Sequence, residues 1–166
     1  VGNTEDLSSL TATLDGGAFG FAPWLNYHLG FEHRAAGEGD AHDEDGFVAG
    51  LSSSFELMPD LSLEPLVEVA HIRHAEGADQ DRTYITLGTA LVSGPWNFAL
   101  STTNRDTDTS DPALTDGTDR LFQASVGYAF DFGLGIDAGY RYSREEGVDT
   151  HGVGVLLSYC IEFAVP

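Results

Sequence analysis

Apolar and polar residues alternate with a period of two along most of the chain, and helical spacing is hard to find. From 19 to 34 the odd positions Phe19, Phe21, Leu25, Tyr27, Leu29 and Phe31 are apolar. Between them fall Gly20, Asn26, His28, Gly30, Glu32 and Arg34, which are small or polar. Phe47, Ala49, Leu51, Phe55 and Leu57 alternate with Gly50, Ser52, Ser54 and Glu56. Leu61, Leu63, Val67 and Val69 alternate with Ser62, Glu64 and Glu68, although Leu66 and Ile72 blur the pattern. Further segments follow at 83–93, 96–105, 121–132, 135–143 and 151–163. The pattern predicts about eight strands, each near the length that crosses a bilayer obliquely.

The links sort themselves by length. Met58-Pro59-Asp60, Ser93-Gly94-Pro95 and Asp131-Phe132-Gly133 have turn chemistry. The links 35–46, 75–82, 106–119 and 144–150 are polar and long. Long and short alternate strictly, as in an up-and-down antiparallel barrel with both termini on the side of its tight turns. The segment 6–14 stands outside this plan. Leu10, Ala12 and Leu14 alternate with Thr11 and Thr13, which leaves three readings: an extra strand, an extension at one end, or a plug. A short extension packed at the tight-turn end is preferred. The chain of 166 residues is thus read as a single domain, with 1–18 an N-terminal extension or extra strand and 19–163 the barrel.

Charge narrows the partners. Asp and Glu number 27 against 7 basic residues, all Arg, for a formal charge of −20. Such a field repels nucleic acid, so a DNA or RNA partner is excluded as an expectation. Acidic, Lys-free chains suit high salt, where self-repulsion is screened, and this points to a halophilic source. Cys160 is the only cysteine, so no intrachain disulfide or Cys-based metal cluster forms. No apolar run reaches membrane-helix length.

Glu32, Arg34, Glu56, Glu64, Glu68, Asp137, Arg141 and Glu162 share the small, polar parity. A charge facing lipid at mid-depth costs about 2–4 kcal/mol, so this set is expected to face inward as a polar network around Arg141. A packed, hydrogen-bonded lumen is preferred over a gated ion path. Arg34, Arg73, Arg82, Arg105, Arg120 and Arg144 flank the long links. Two readings stay open for them. They form a rim for lipopolysaccharide phosphates, or they neutralise neighbouring loop acids.

Aromatics cluster at both strand ends: Phe19, Phe21, Phe55, Trp96, Phe98, Phe130, Phe132 and Phe163 near the short links, Phe31, Phe47, Tyr84, Phe122 and Tyr142 near the long ones. Two such bands fit the two membrane interfaces. The last strand alternates Val153, Val155, Leu157, Tyr159, Ile161 and Phe163. It resembles the terminal strand by which outer-membrane barrels are recognised for assembly, apart from the tail Ala164-Val165-Pro166. With Val126 to Ser143 it is similar to small outer-membrane barrels of the OmpA/OmpX and opacity type. That resemblance implies an eight-stranded transmembrane barrel in the outer membrane of a Gram-negative cell.

The resemblance also brings in barrel enzymes of the lipid A deacylase and acyltransferase type. The run His71-Ile72-Arg73-His74 lacks their His-x-Ser-Asn motif, so no catalytic residue and no enzyme is expected. Nor is a metal site: HxxH on a strand places its two rings on opposite faces. Asp106-Thr107-Asp108-Thr109-Ser110 begins like a calcium loop, but Asp111 stands where the turn Gly belongs and Gly117 where the bidentate Glu belongs. No cofactor is expected. The expected role is structural or interactive, contacting outer-membrane lipid, lipopolysaccharide or another envelope protein. The alternatives are a narrow ion or small-solute channel and a soluble acidic β-barrel ligand carrier.

Overall fold

A computed structural model of the chain describes residues 9–19, 22–36, 42–111, 116–145 and 147–159. They form one antiparallel up-and-down sheet. Its strands are β1 (Ser9–Phe19), β2 (Ala22–Arg34), β3 (Glu44–Ser53), β4 (Phe55–Met58), β5 (Leu61–Arg73), β6 (Gln80–Ser93), β7 (Trp96–Thr109), β8 (Gly117–Ala129), β9 (Leu134–Glu145) and β10 (Val148–Tyr159). A short 3-10 turn at Ala75–Gly77 is the sole exception to strands and turns among the described residues. No helix is long and apolar enough to cross a membrane.

Each strand pairs with its sequence neighbour, except that β3 and β4 both pair β5 on either side of Ser54. They act as one interrupted strand. The segment for which an extension was preferred is instead a full strand: β1 pairs β2 from Ser9 opposite Arg34 to Phe19 opposite Ala22. Its Thr and Asp residues alternate with Leu10, Ala12 and Leu14, so it has the wall pattern of its neighbours. Both β1 and β10 are edges among the described residues, and successive antiparallel pairings leave them running in the same direction.

Three links differ in length from the pattern's expectation. The link 144–150 is a tight hairpin, with Glu145 opposite Val148 and Gly147 at φ 79. A positive φ suits a two-residue hairpin turn and costs glycine nothing sterically. Strands β6, β7 and β8 run deep into the polar links, pairing Gln80 with Thr109 and Thr107 with Gly117. Backbone pairing persists there although apolar alternation has stopped. The turns at Asp60 (φ 64), Gly94 (φ 53) and Gly133 (φ 89) lie at the opposite end.

The sheet has no apolar core. Ala22 and Ala75 are the buried hydrophobic residues among those described. Most of the large apolar side chains stand exposed on one face instead, with Leu66 and Leu156 exposed on the other: Leu51, Val67 and Leu87 share one rung of the ladder. The rung runs on through Thr102, Phe122, Tyr142 and His151. The belt slants across the rungs. Its upper edge is Phe31 opposite Phe47 on β2 and β3, and falls to Val69 opposite Ile85 on β5 and β6. On β7 to β9 the rung of Ile85 carries Asn104, Arg120 and Arg144, so the apolar edge falls again, to Phe122 opposite Tyr142.

At the tight-turn end the rings touch in series. Trp96 lies 6.0 Å from Phe98 and 4.7 Å from Tyr128, Tyr128 lies 4.7 Å from Phe130, and Phe130 5.3 Å from Phe132. Tyr84 belongs to neither band: it is paired with Ala70 and Arg105, on the face opposite Ile85. Phe21, Ile161 and Phe163 lie outside the described residues.

Candidate functional site: the concave face and its upper rim

The face opposite the belt is built of small and polar residues. One rung reads Gly17, Asn26, Ser52, Leu66, Gly88, Ser101, Gln123, Arg141 and Gly152 across the sheet. The next holds Asp15, His28, Gly50, Glu68, Thr86, Thr103, Leu121, Ser143 and Thr150. The sheet curls so that residues from β2 through β10 border one cavity of about 1030 Å³. Ala90, Ala99, Ser125, Gly139 and Gly154 are too small to fill it. Among the described residues the space is open, and its walls set polar side chains such as Asn26, Glu64 and Gln123 among small and apolar ones.

Glu32, Glu56, Glu64, Glu68, Asp137 and Arg141 all fall on this concave face by register. Glu64, Asp137 and Arg141 border the cavity. They are not a network. Arg141 is exposed and has no carboxylate within ion-pair distance among the described residues. Asp137 instead leans over Gly127, where an added Cβ would collide with its carboxylate. Glu162 lies outside the described residues.

The ion pairs sit higher, and three of them recruit arginines that flank the long links. Arg105 Nε donates to Asp119 at 3.0 Å, in a pair partly shielded from solvent. Arg82 Nη1 donates to Glu76 at 2.8 Å, and Arg34 lies 3.8 Å from Glu44. By register these three arginines are on the concave face. The guanidinium of Arg82, hydrogen-bonded to Glu76, holds that carboxyl below its ordinary range. Strand parity separates them from Arg73, Arg120 and Arg144, which stand on the belt face above its apolar edge. Arg120 is directly opposite Arg144. Two like charges so placed repel unless an anion offsets them, and Arg144 Nε lies 3.8 Å from the Asp149 carboxylate.

Asp106 and Asp108 belong to β7, so the calcium-like run is extended strand rather than a ligand loop. Asp106 accepts a hydrogen bond from the Thr118 hydroxyl at 2.9 Å. His71 and His74 do part company: His71 contacts Thr83 at 3.0 Å, whereas His74 lies past the strand end. There it meets two residues the sequence reading did not single out. His42, His74 and Asp79 bring one ligand atom each to within 4.8 Å of one another. No spacing rule links them, because three different links of the sheet carry them or hold them in place. Comparison with protein-family models and with curated proteins finds no match to this chain.

Proposed function

We propose that this chain is an integral outer-membrane β-barrel whose work is structural or interactive at the cell surface. The observation that carries the reading is the combination of an exposed, slanted apolar belt with no buried apolar core. A soluble domain of this size hides its large side chains; exposure of this many is sustained only against lipid or a partner. Closure of the sheet completes the barrel. An open β10 would present a long row of unpaired backbone groups beside exposed Val153, Val155 and Leu157, a template for aggregation. Since β1 and β10 run the same way, the seam is a parallel pair, an odd-stranded solution that is rare but physically permitted.

In this reading the hairpin arms of β6 to β8 face outward from the cell. Arg73, Arg120 and Arg144 contact lipopolysaccharide phosphates, for which guanidinium forks are well matched. The acidic surface keeps the protein soluble-sided at high salt. The test is extraction and refolding. The protein should stay with membranes until detergent is added and fold into lipid vesicles. Release into plain buffer as a folded monomer would establish the soluble carrier instead.

A second reading, a narrow channel for ions or small solutes, is favoured by the open cavity. Planar-bilayer recordings separate it from the structural role. Steps in conductance that shrink when Gly88 or Gly139 is replaced by a large residue would establish a channel; a silent bilayer would exclude it.

A further inference from the structure

We infer that His42, His74 and Asp79 form a binding site for a divalent transition-metal ion of the zinc class, on the rim formed by the polar links. The donor set decides the class. Two imidazoles and one carboxylate suit zinc and its neighbours, whereas calcium and magnesium require oxygen ligands throughout. Three protein ligands with an open fourth position are a complete first sphere for such an ion.

Each ligand is held by a different part of the chain. The His42 backbone N–H donates to Gly77 carbonyl at 3.2 Å. Its ring stacks on that of His74, with centroids 4.4 Å apart and planes 24° from parallel. His74 sits in the left-handed region at φ 49, and its backbone N–H donates to the Asp81 carboxylate at 3.1 Å. Its Nδ1 lies 3.2 Å from the Asp43 carbonyl oxygen. Because a carbonyl only accepts, Nδ1 carries the proton and Nε2 is left as the ligand atom. A ring nitrogen fixed on a backbone carbonyl is the usual support for a metal-ligating histidine.

Asp79 is anchored from the third side. The Thr109 hydroxyl donates to its carbonyl at 2.8 Å, and the Ser110 hydroxyl donates to its carboxylate. One carboxylate oxygen remains for an ion. Ligand atoms around a tetrahedral zinc with bonds of about 2.0–2.1 Å lie roughly 3.4 Å apart. From 4.8 Å, closure takes a shift of about an ångström, small for exposed side chains. An ion here ties the link after β2 to the link after β5, whose Asp79 is in turn hydrogen-bonded by Thr109 and Ser110, so it orders the surface presented by this end of the sheet. The site stands on these contacts alone and is independent of the membrane reading.

The experiment is calorimetric titration of the purified full chain in detergent with zinc chloride, against calcium chloride as competitor. One saturable zinc per chain is expected. His42→Ala and His74→Asn should each weaken it at least tenfold, while His71→Asn leaves it unchanged. Asparagine tolerates the left-handed backbone at 74, and equal thermal unfolding of His74→Asn and wild type without metal checks that the fold is kept. Absence of saturable zinc binding would overturn the proposal. So would full affinity in both variants, or displacement of zinc by an equal concentration of calcium, which would mean diffuse capture by carboxylates.

Discussion

Strand β6 carries Ile85, Leu87 and Leu91 on the belt face, and a few residues earlier, on that same face, Thr83 and Asp81. Its partner β7 changes in the same sense, from Trp96, Phe98 and Leu100 to Asn104, Asp106 and Asp108. The backbone ladder crosses this boundary without a break, from Ser93 opposite Trp96 to Gln80 opposite Thr109. Lower half and upper arm therefore share one secondary structure and differ in the solvent that their side chains require. Thr and Asp can keep a strand paired in water, where a β-branched side chain costs little and a carboxylate stays hydrated. Leu87 and Leu100 have no such partner in water.

The largest expected effect tests that boundary. In the membrane reading Leu87→Arg should destabilise folding into lipid vesicles by about 2–4 kcal/mol, and Thr83→Arg on the same face by about 0–1. Leu87 is already 52% exposed, so in a water-soluble protein the same change would cost almost nothing. Equal, small losses at both positions would remove the lipid from the picture.

Next comes the concave face, where the arms and the cavity differ as well. Arg105 and Asp119 form a partly shielded, charge-assisted pair, whereas Arg141 faces open space. Replacing Arg105 by Met should cost about 1–3 kcal/mol, since the Asp119 carboxylate loses the charge-assisted hydrogen bond from Arg105. Arg141→Met should stay within about 0.5 kcal/mol. Chemical denaturation of both variants decides where the polar network lies. A larger loss at Arg141 would return it to the cavity.

That contrast also shows which parts of the molecule were legible in the sequence. Parity was, because a period of two needs no tertiary information: Asn26, Ser52 and Gln123 share a face as soon as they are strand residues. Strand ends were not. Alternation of hydrophobicity reports the belt, and β7 outlasts its belt by several polar residues, so Asp106–Thr109 was read as loop. Segment 9–19 was undervalued for a related reason. Its Asp15-Gly16-Gly17 resembles a turn, yet Gly16 and Gly17 lie flat against Tyr27 and Asn26, where any side chain would collide. The arginines were grouped by their distance along the chain from polar links. Face depends on odd or even position, and that divides Arg34, Arg82 and Arg105 from Arg73, Arg120 and Arg144. The cluster of His42, His74 and Asp79 depends on how three links fold over one another, for which no periodicity speaks.

A smaller effect belongs to the last hairpin. Gly147→Ala places a Cβ at φ 79 and should cost about 1 kcal/mol or more. Gly154→Ala, in the extended part of β10 with nothing near an added Cβ, should be neutral or stabilise by about 0.5 kcal/mol. Thermal unfolding of the two variants compares them. If both are neutral, the register that sets Glu145 opposite Val148 is wrong, and the longer link expected from its polarity is restored.

The smallest effect distinguishes arm from belt by salt and pH. Glu76 and Arg82 pair at 2.8 Å, but the Glu76 side chain is 71% exposed, so the pair contributes only a few tenths of a kcal/mol. Its pKa is lowered in the folded state, chiefly by the hydrogen bond from Arg82. The contribution is therefore complete above the ordinary glutamate value of about 4.3 and disappears as pH falls through the lowered one. Wild type should exceed Glu76→Gln in stability at pH 7, and the difference should close in acid. It should also close in molar salt, where the screening length is about 3 Å. In the membrane reading the Leu87→Arg loss comes from burial in hydrocarbon rather than from ion pairing, and it should survive the same salt. A Glu76→Gln difference that persists in both acid and salt would mean that the side chain supports the 3-10 turn by packing, and that the arm owes less to its charges than its sequence implies.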